Sequence, residues 1–125
     1  MIVGLGVDIT LIDRMEAAIA RRGRALLERV FTPAEIRYCE KDRHSTERFA
    51  GRFAAKEAAM KALGTGHSRG VLWKDIEVVR LSGPPQLRLH GGAAARADRM
   101  RVRSSLLTIT HSDALAMAQV LLLGD

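Results

Sequence analysis

The stretch from about Ser45 to Leu63 most constrains what this chain can fold into. It contains no proline, it places Phe49, Phe53 and Met60 on one stripe, and Gly64 stands where a helix would stop. In a chain of 125 residues, a helix of that length is the element against which the rest must pack. The length suits a single domain over 1–125 with a core of its own. At 100° per residue Glu57 falls beside Phe53 at the edge of the stripe, and Lys61 lies one turn beyond it. A carboxylate on the border of an apolar face is costly unless something pairs with it.

The flanking segments read mostly as β-structure. Ile2 to Ile9 alternates, with Val3, Leu5, Val7 and Ile9 on one face and Gly4, Gly6 and Asp8 on the other. The apolar face is expected to pack on the core, and the glycine face to leave room for a ligand or another backbone. A helix is expected from Leu11 to Arg22 with Ile12, Met15 and Ile19 buried. Another begins at Thr32, where Thr32 and Glu35 form a capping box and Pro33 takes the first helical position, and runs to about Lys41. Past the loop Gly64–Gly70, Asp75–Leu81 and Gln86–His90 flank Ser82-Gly83-Pro84-Pro85 as a hairpin. A short Ala-rich helix over Gly92–Met100 precedes two strands, Ser105–Thr110 and Ala114–Leu123. The last strand is apolar on both faces except at Gln119, so both faces should be covered, part of that cover coming from another subunit. The class is α+β: a long helix packed on a mainly antiparallel sheet.

Composition narrows the functions. No apolar run reaches the length of a membrane span, and the N-terminus carries Asp8 within its apolar stretch and lacks the basic region of a signal peptide. The only cysteine, Cys39, cannot form an internal disulfide, which points to a reducing, cytoplasmic compartment. Twenty Lys and Arg against fourteen Asp and Glu give a formal charge of +6, so an anionic partner is expected. Nucleic acid is disfavoured: there are only five aromatics, Phe31, Tyr38, Phe49, Phe53 and Trp73, and no helix-turn-helix or zinc-finger pattern.

Two constellations carry chemistry. Asp8 and Glu57 can share Mg²⁺, a hard cation that takes one or two carboxylates plus water and phosphate oxygens. On spacing alone the plainer reading leads: Asp8 caps a turn while Glu57 pairs with Lys61 on a solvated face. Arg52, Lys56 and Lys61 form a cationic set suited to phosphate, or an ordinary charged helix face. Gly64-Thr65-Gly66 follows at once and can present backbone N–H groups to an anion, though it lacks the GxxxxGK[ST] pattern of a P-loop. His111, between Thr110 and Ser112-Asp113, binds phosphate or caps a hairpin; no GxSxG elbow supports a hydrolase triad.

Gly6-Val7-Asp8-Ile9, together with Arg52-Phe53-Ala54-Ala55-Lys56-Glu57-Ala58 and Lys61, strongly resembles the short bacterial 4′-phosphopantetheinyl transferases. Arg14, Phe31-Thr32-Pro33-Ala34-Glu35, Gly64-Thr65-Gly66, Asp75-Ile76-Glu77-Val78 and Thr110-His111-Ser112 also fall where that family has similar residues. The resemblance is weakest over 82–103.

That resemblance implies an enzyme in which Asp8 and Glu57 hold Mg²⁺ and, with Lys61, carry catalysis. Lys61, Arg52 and His111 would bind phosphates of coenzyme A. The serine of an apo-acyl carrier protein would attack the phosphorus nearest pantetheine, accept the 4′-phosphopantetheine arm and release adenosine 3′,5′-bisphosphate, in support of fatty acid biosynthesis. Arg14, Arg21 and Arg24 would dock the acidic carrier, and the protein would be a homotrimer with sites at subunit interfaces. A non-catalytic module that binds acidic carriers or nucleotides is the alternative of a different class, and a nucleic-acid module with a steep salt slope and no metal dependence comes third.

Overall fold

In the computed structural model, which describes residues 1–125, strand β1 (Ile2–Leu11) leads into three short helices. These are α1 (Ile12–Arg22), α2 (Arg24–Val30) and α3 (Pro33–Cys39), followed by the long helix α4 (Ser45–Leu63). A 3₁₀ turn at Trp73–Asp75 opens the hairpin β2 (Ile76–Val79) and β3 (Gln86–Leu89); α5 (Gly91–Arg99), β4 (Val102–His111) and β5 (Leu115–Gly124) complete the chain. The main sheet has the order β1-β5-β4 and is antiparallel throughout, while β2 and β3 pair separately. The architecture is the expected α+β arrangement, with α4 at its expected bounds and Gly64 closing it in the left-handed conformation at φ 74°. The Thr32–Glu35 capping box forms as read, with both reciprocal bonds present. Helix α2 was not expected: its seven residues are too few to display a helical period.

The orientation of β1 reverses the expectation. The glycine face lies inward, with Gly6 buried, whereas Leu5 is 55% and Ile9 56% exposed. The reason is the close approach of α4. A Cβ on Gly6 would sit 1.8 Å from the carbonyl oxygen of Ala58, and one on Gly4 would sit 2.4 Å from that of Ala62. The space opposite the glycines is taken by the helix backbone itself, and room for a ligand opens only beyond it, where β1 continues to Asp8. Gly6→Val should therefore lose at least about 3 kcal/mol of unfolding free energy in urea titration, because the blocking atom is backbone and cannot rotate away.

Strand β5 lies between its two neighbours and buries Ala116, Ala118, Val120 and Leu122 toward α4. Its other face is covered by nothing in the single chain. Leu5 and Leu106 flank Leu121, and Ile9 lies beside the exposed Met117. The expectation of two covered faces therefore holds for one face of the isolated chain.

Helix α4 is buried nearly all round, not along one stripe. Ala54, Ala55, Ala58, Ala59 and Ala62 are all buried, as are Phe49 and Met60, while Phe53 is half-buried. Small side chains let the sheet, the short helices and the hairpin close on it from several sides. Cys39 sits wholly buried in the cluster formed with Phe31, Ile36 and Phe49. Burial pushes its thiol up to about 12, which at pH 8 cuts its thiolate fraction roughly a thousandfold relative to a free thiol. Maleimide labelling of Cys39 should accordingly require unfolding; rapid labelling of the native protein would contradict the burial.

Candidate active site

Where α4 and β1 part, the chain leaves a cavity of about 660 Å³ lined by Asp8, Thr10, Arg14, Arg21, Phe53, Glu57 and Trp73 among others. Asp8 and Thr10 continue the inward face of β1 past the glycines, and Glu57 reaches the same space from α4. Asp8 and Glu57 are the only carboxylates in the lining, and it contains no histidine. Each carboxylate is mostly shielded, with side-chain exposures of 17% for Asp8 and 23% for Glu57.

The neighbours of these carboxylates differ from the simple helical pairing. Lys61 does not pair with Glu57; its Nζ donates to Asp8 Oδ1 and to the Val7 carbonyl, each at 3.0 Å. Glu57 Oε1 is met instead by His67 Nε2 at 3.3 Å. His67 belongs to the loop after α4, and its ring packs edge-on against Trp73, with centroids 4.2 Å apart. Trp73 in turn stacks on Phe53 at 4.9 Å, so an aromatic wall backs the carboxylate.

Lys56 departs from the expected phosphate-binding set. It is fully buried, and its Nζ donates to Glu35 Oε1 at 2.8 Å and to the carbonyls of Trp73 and Ile76. Burial holds its ammonium pKa below the usual lysine value, against the opposing pull of Glu35. Glu35 also accepts from the N–H groups of Thr32 and Val78. The pair thus ties α3, the 73–76 segment and β2 to α4. The expected anion-facing N–H groups of the Gly64 loop are also partly spent, since Gly64 and Thr65 donate to Lys61 and Met60 carbonyls in closing the helix.

Arg52 and His111 come together, but in a different place. They line a second cavity of about 430 Å³ with Tyr38, His44, Glu47, Arg48 and Arg80, sharing no lining residue with the first. The Arg52 guanidinium lies 4.2 Å from the centre of the Tyr38 ring, and its Nε is buried without a partner. His111 Nδ1 lies 3.9 Å from Glu47. Arg14 and Arg21 reach the rim of the first cavity as α1 places them, joined by Arg22 and Arg29. Arg24 is not among them; it pairs with Glu40 at 2.8 Å and more loosely with Glu28.

Sequence reasoning missed His67, Trp73 and Arg29 as parts of this region. Trp73, the only tryptophan, was the one with a signal, since a lone large aromatic in a loop seldom stays solvated. Arg29 sits on α2, which had no legible period, and His67 needed the loop's path to be known.

The donor set suits a hard divalent cation. Two carboxylates face one cavity; no cluster of three or more His, Cys, Asp or Glu side chains forms anywhere in the chain, this cavity included, and Mg²⁺ seldom uses an all-protein cage.

Comparison with known proteins identifies the setting of these residues. Residues 4–118 match the model of the 4′-phosphopantetheinyl transferase superfamily. The chain is 50% identical over 123 residues, 98% of each chain, to the holo-[acyl-carrier-protein] synthase of Solibacter usitatus. Its fold superposes on that of the Neisseria meningitidis holo-[acyl-carrier-protein] synthase with a TM-score of 0.89 at 27% identity, covering 98% of both chains. A holo-(acyl-carrier-protein) synthase from Bacillus anthracis, solved in complex with CoA (3′,5′-ADP), gives 0.82 at 36% identity over 100% of this chain and 99% of that one. With its carboxylate-lined cavity, its central helix and its full-length likeness, this chain belongs to the holo-[acyl-carrier-protein] synthase family of the 4′-phosphopantetheinyl transferase superfamily.

Proposed function

We propose that this enzyme transfers 4′-phosphopantetheine from coenzyme A to a serine hydroxyl of apo-acyl carrier protein in a Mg²⁺-dependent reaction that releases adenosine 3′,5′-bisphosphate. The observation that carries this reading is the meeting of Asp8 and Glu57 in one cavity rimmed by arginines. The serine oxygen forms a bond to the phosphorus nearest pantetheine as the bond to the departing bisphosphate breaks. Such a displacement needs alignment and charge neutralisation more than covalent help from the protein. Mg²⁺ held by Asp8 and Glu57 would supply that neutralisation at the pyrophosphate. Lys61, beside Asp8 though not among the residues that line the cavity, would reach a phosphate oxygen from there and offset the carboxylate charge. The serine proton has only the Asp8 and Glu57 carboxylates as acidic-side-chain acceptors in this cavity.

The second cavity fits another phosphate of coenzyme A, with Arg52 and His111 as its donors. Its separation from the first within one chain fits an assembly in which neighbouring copies contribute the two halves of each site, and the family resemblance makes that assembly a homotrimer. The uncovered apolar face of the main sheet, with Leu5, Ile9 and Leu106 exposed, is the surface on which copies would meet. Light scattering should give three chain masses. No helix of the chain is long and apolar enough to cross a membrane. The family resemblance is what assigns the reaction to the cytoplasm, in support of fatty acid biosynthesis.

The carrier docks on α1 beside the cavity, with Arg14 and Arg21 at the contact and Arg24 at the start of α2, where its pairing with Glu40 weakens its part. Charge steering of this kind is screened by salt. The KM for the carrier should rise several-fold from low to physiological ionic strength, and Arg14→Glu should raise it further. Chromatography of the reaction tests the chemistry: one adenosine 3′,5′-bisphosphate should appear per carrier modified. Its absence while coenzyme A is consumed would contradict the assigned bond cleavage.

A further inference from the structure

We infer that His67 is a positioning residue for Glu57, held in place by Trp73, and that it sets how tightly the Asp8–Glu57 pair takes a divalent cation; this rests on the metal reading given above. Three observations meet here. Glu57 makes no ion pair with Lys61, the cation one turn away on its own helix, because Lys61 is engaged by Asp8 and the Val7 carbonyl. The group that does reach Glu57 is His67 Nε2, 3.3 Å from Oε1, from the loop that follows α4. The imidazole has a fixed support of its own, since it packs edge-on against Trp73, which stacks on Phe53. The Trp73 carbonyl is in turn anchored by the buried Lys56 Nζ at 3.2 Å.

A glutamate side chain has three torsions to fix, and a carboxylate that is to bind a metal gains affinity when a neighbour restrains it beforehand. The imidazole meets Glu57 at one carboxylate oxygen, Nε2 to Oε1, at ion-pair distance, and a polar ring held there limits the orientations open to the glutamate. Lys61 on Asp8 and His67 on Glu57 thus give each carboxylate its own cationic or donor neighbour, and the two neighbours come from different elements. His67 is not among the residues that line the cavity, and its contact with Glu57 is the route by which it acts on the metal.

The test uses Mn²⁺, which shares the carboxylate preference of Mg²⁺, and reads its dissociation constant by electron paramagnetic resonance on the full chain at one fixed pH. His67→Phe keeps an aromatic ring against Trp73 and removes the donor. It should weaken Mn²⁺ binding by about 10- to 100-fold, while His67→Gln, which keeps an N–H donor, should recover most of the loss. Fluorescence of Trp73 confirms that its surroundings persist in both variants. Unchanged or tighter Mn²⁺ binding in His67→Phe, with binding still abolished in Glu57→Ala, would overturn the role of His67 and leave the metal reading standing. Equal binding by wild type and Glu57→Ala would overturn both.

Discussion

Asp8→Ala and Glu57→Ala are each expected to lower kcat/KM for carrier modification by at least about 10³-fold, the scale of losing a principal electrostatic stabiliser, with the fold intact. The two effects separate because of where the carboxylates sit. Each lines the cavity and is engaged by a side chain that is about half exposed, Lys61 at 53% and His67 at 52%. Ion pairs with so exposed a partner contribute at most about 1 kcal/mol, so the unfolding midpoints should move little. The isosteric Asp8→Asn and Glu57→Gln should lose activity to a similar degree, since an amide keeps the shape but not the charge. Lys61→Ala should lose less, because the arginines at the rim continue to attract the anionic substrate. Kinetics alongside urea unfolding decide the matter: comparable losses of stability and activity would make these residues structural.

Lys56→Met reverses that division. The Lys56 ammonium is wholly buried between Glu35 and two carbonyl groups, and removing it leaves the buried Glu35 carboxylate without its cation. Breaking one side of such a pair costs about 3–5 kcal/mol, a large share of the 5–15 kcal/mol typical of a folded protein. The Thr32 and Val78 N–H groups still donate to Glu35, which keeps the loss within that range. A double substitution with Glu35→Gln removes the orphaned charge and keeps an acceptor oxygen for one of those two N–H groups, and should recover part of the stability. Urea titration of the four proteins gives the coupling energy directly. Lys56→Met that unfolds at the wild-type midpoint would show that the pair does not hold the hairpin to the helix.

Much of the fold was legible because its strongest signals are local. The bounds of α4, the Thr32 cap and the hairpin across Gly83-Pro84-Pro85 follow from stop residues, capping pairs and turn chemistry within a few positions. The facing of β1 was not. Alternation specifies two faces but not which one turns inward, and here the close packing of an Ala-rich helix on two glycines outweighed the burial of Leu5, Val7 and Ile9. The same small residues explain why α4 shows no single apolar stripe.

The site was legible in part for a similar reason. Resemblance marked Asp8 and Glu57, and the fold brings them to one cavity. Spacing could not show that Lys61 chooses Asp8 over Glu57, that Lys56 points into the core, or that Arg52 and His111 line a separate hollow. Each depends on the crossing of elements distant in sequence. A helical wheel places side chains on a face and says nothing of what lies opposite.

The central claim is tested most directly by the intact mass of apo-acyl carrier protein incubated with coenzyme A, Mg²⁺ and this enzyme. The account predicts a gain of one 4′-phosphopantetheine arm on the carrier, absent with a chelator and absent with Asp8→Ala or Glu57→Ala. A carrier left unmodified by the folded wild-type protein, despite salt-sensitive binding between the two, would contradict it and identify a module that binds carriers without turning them over.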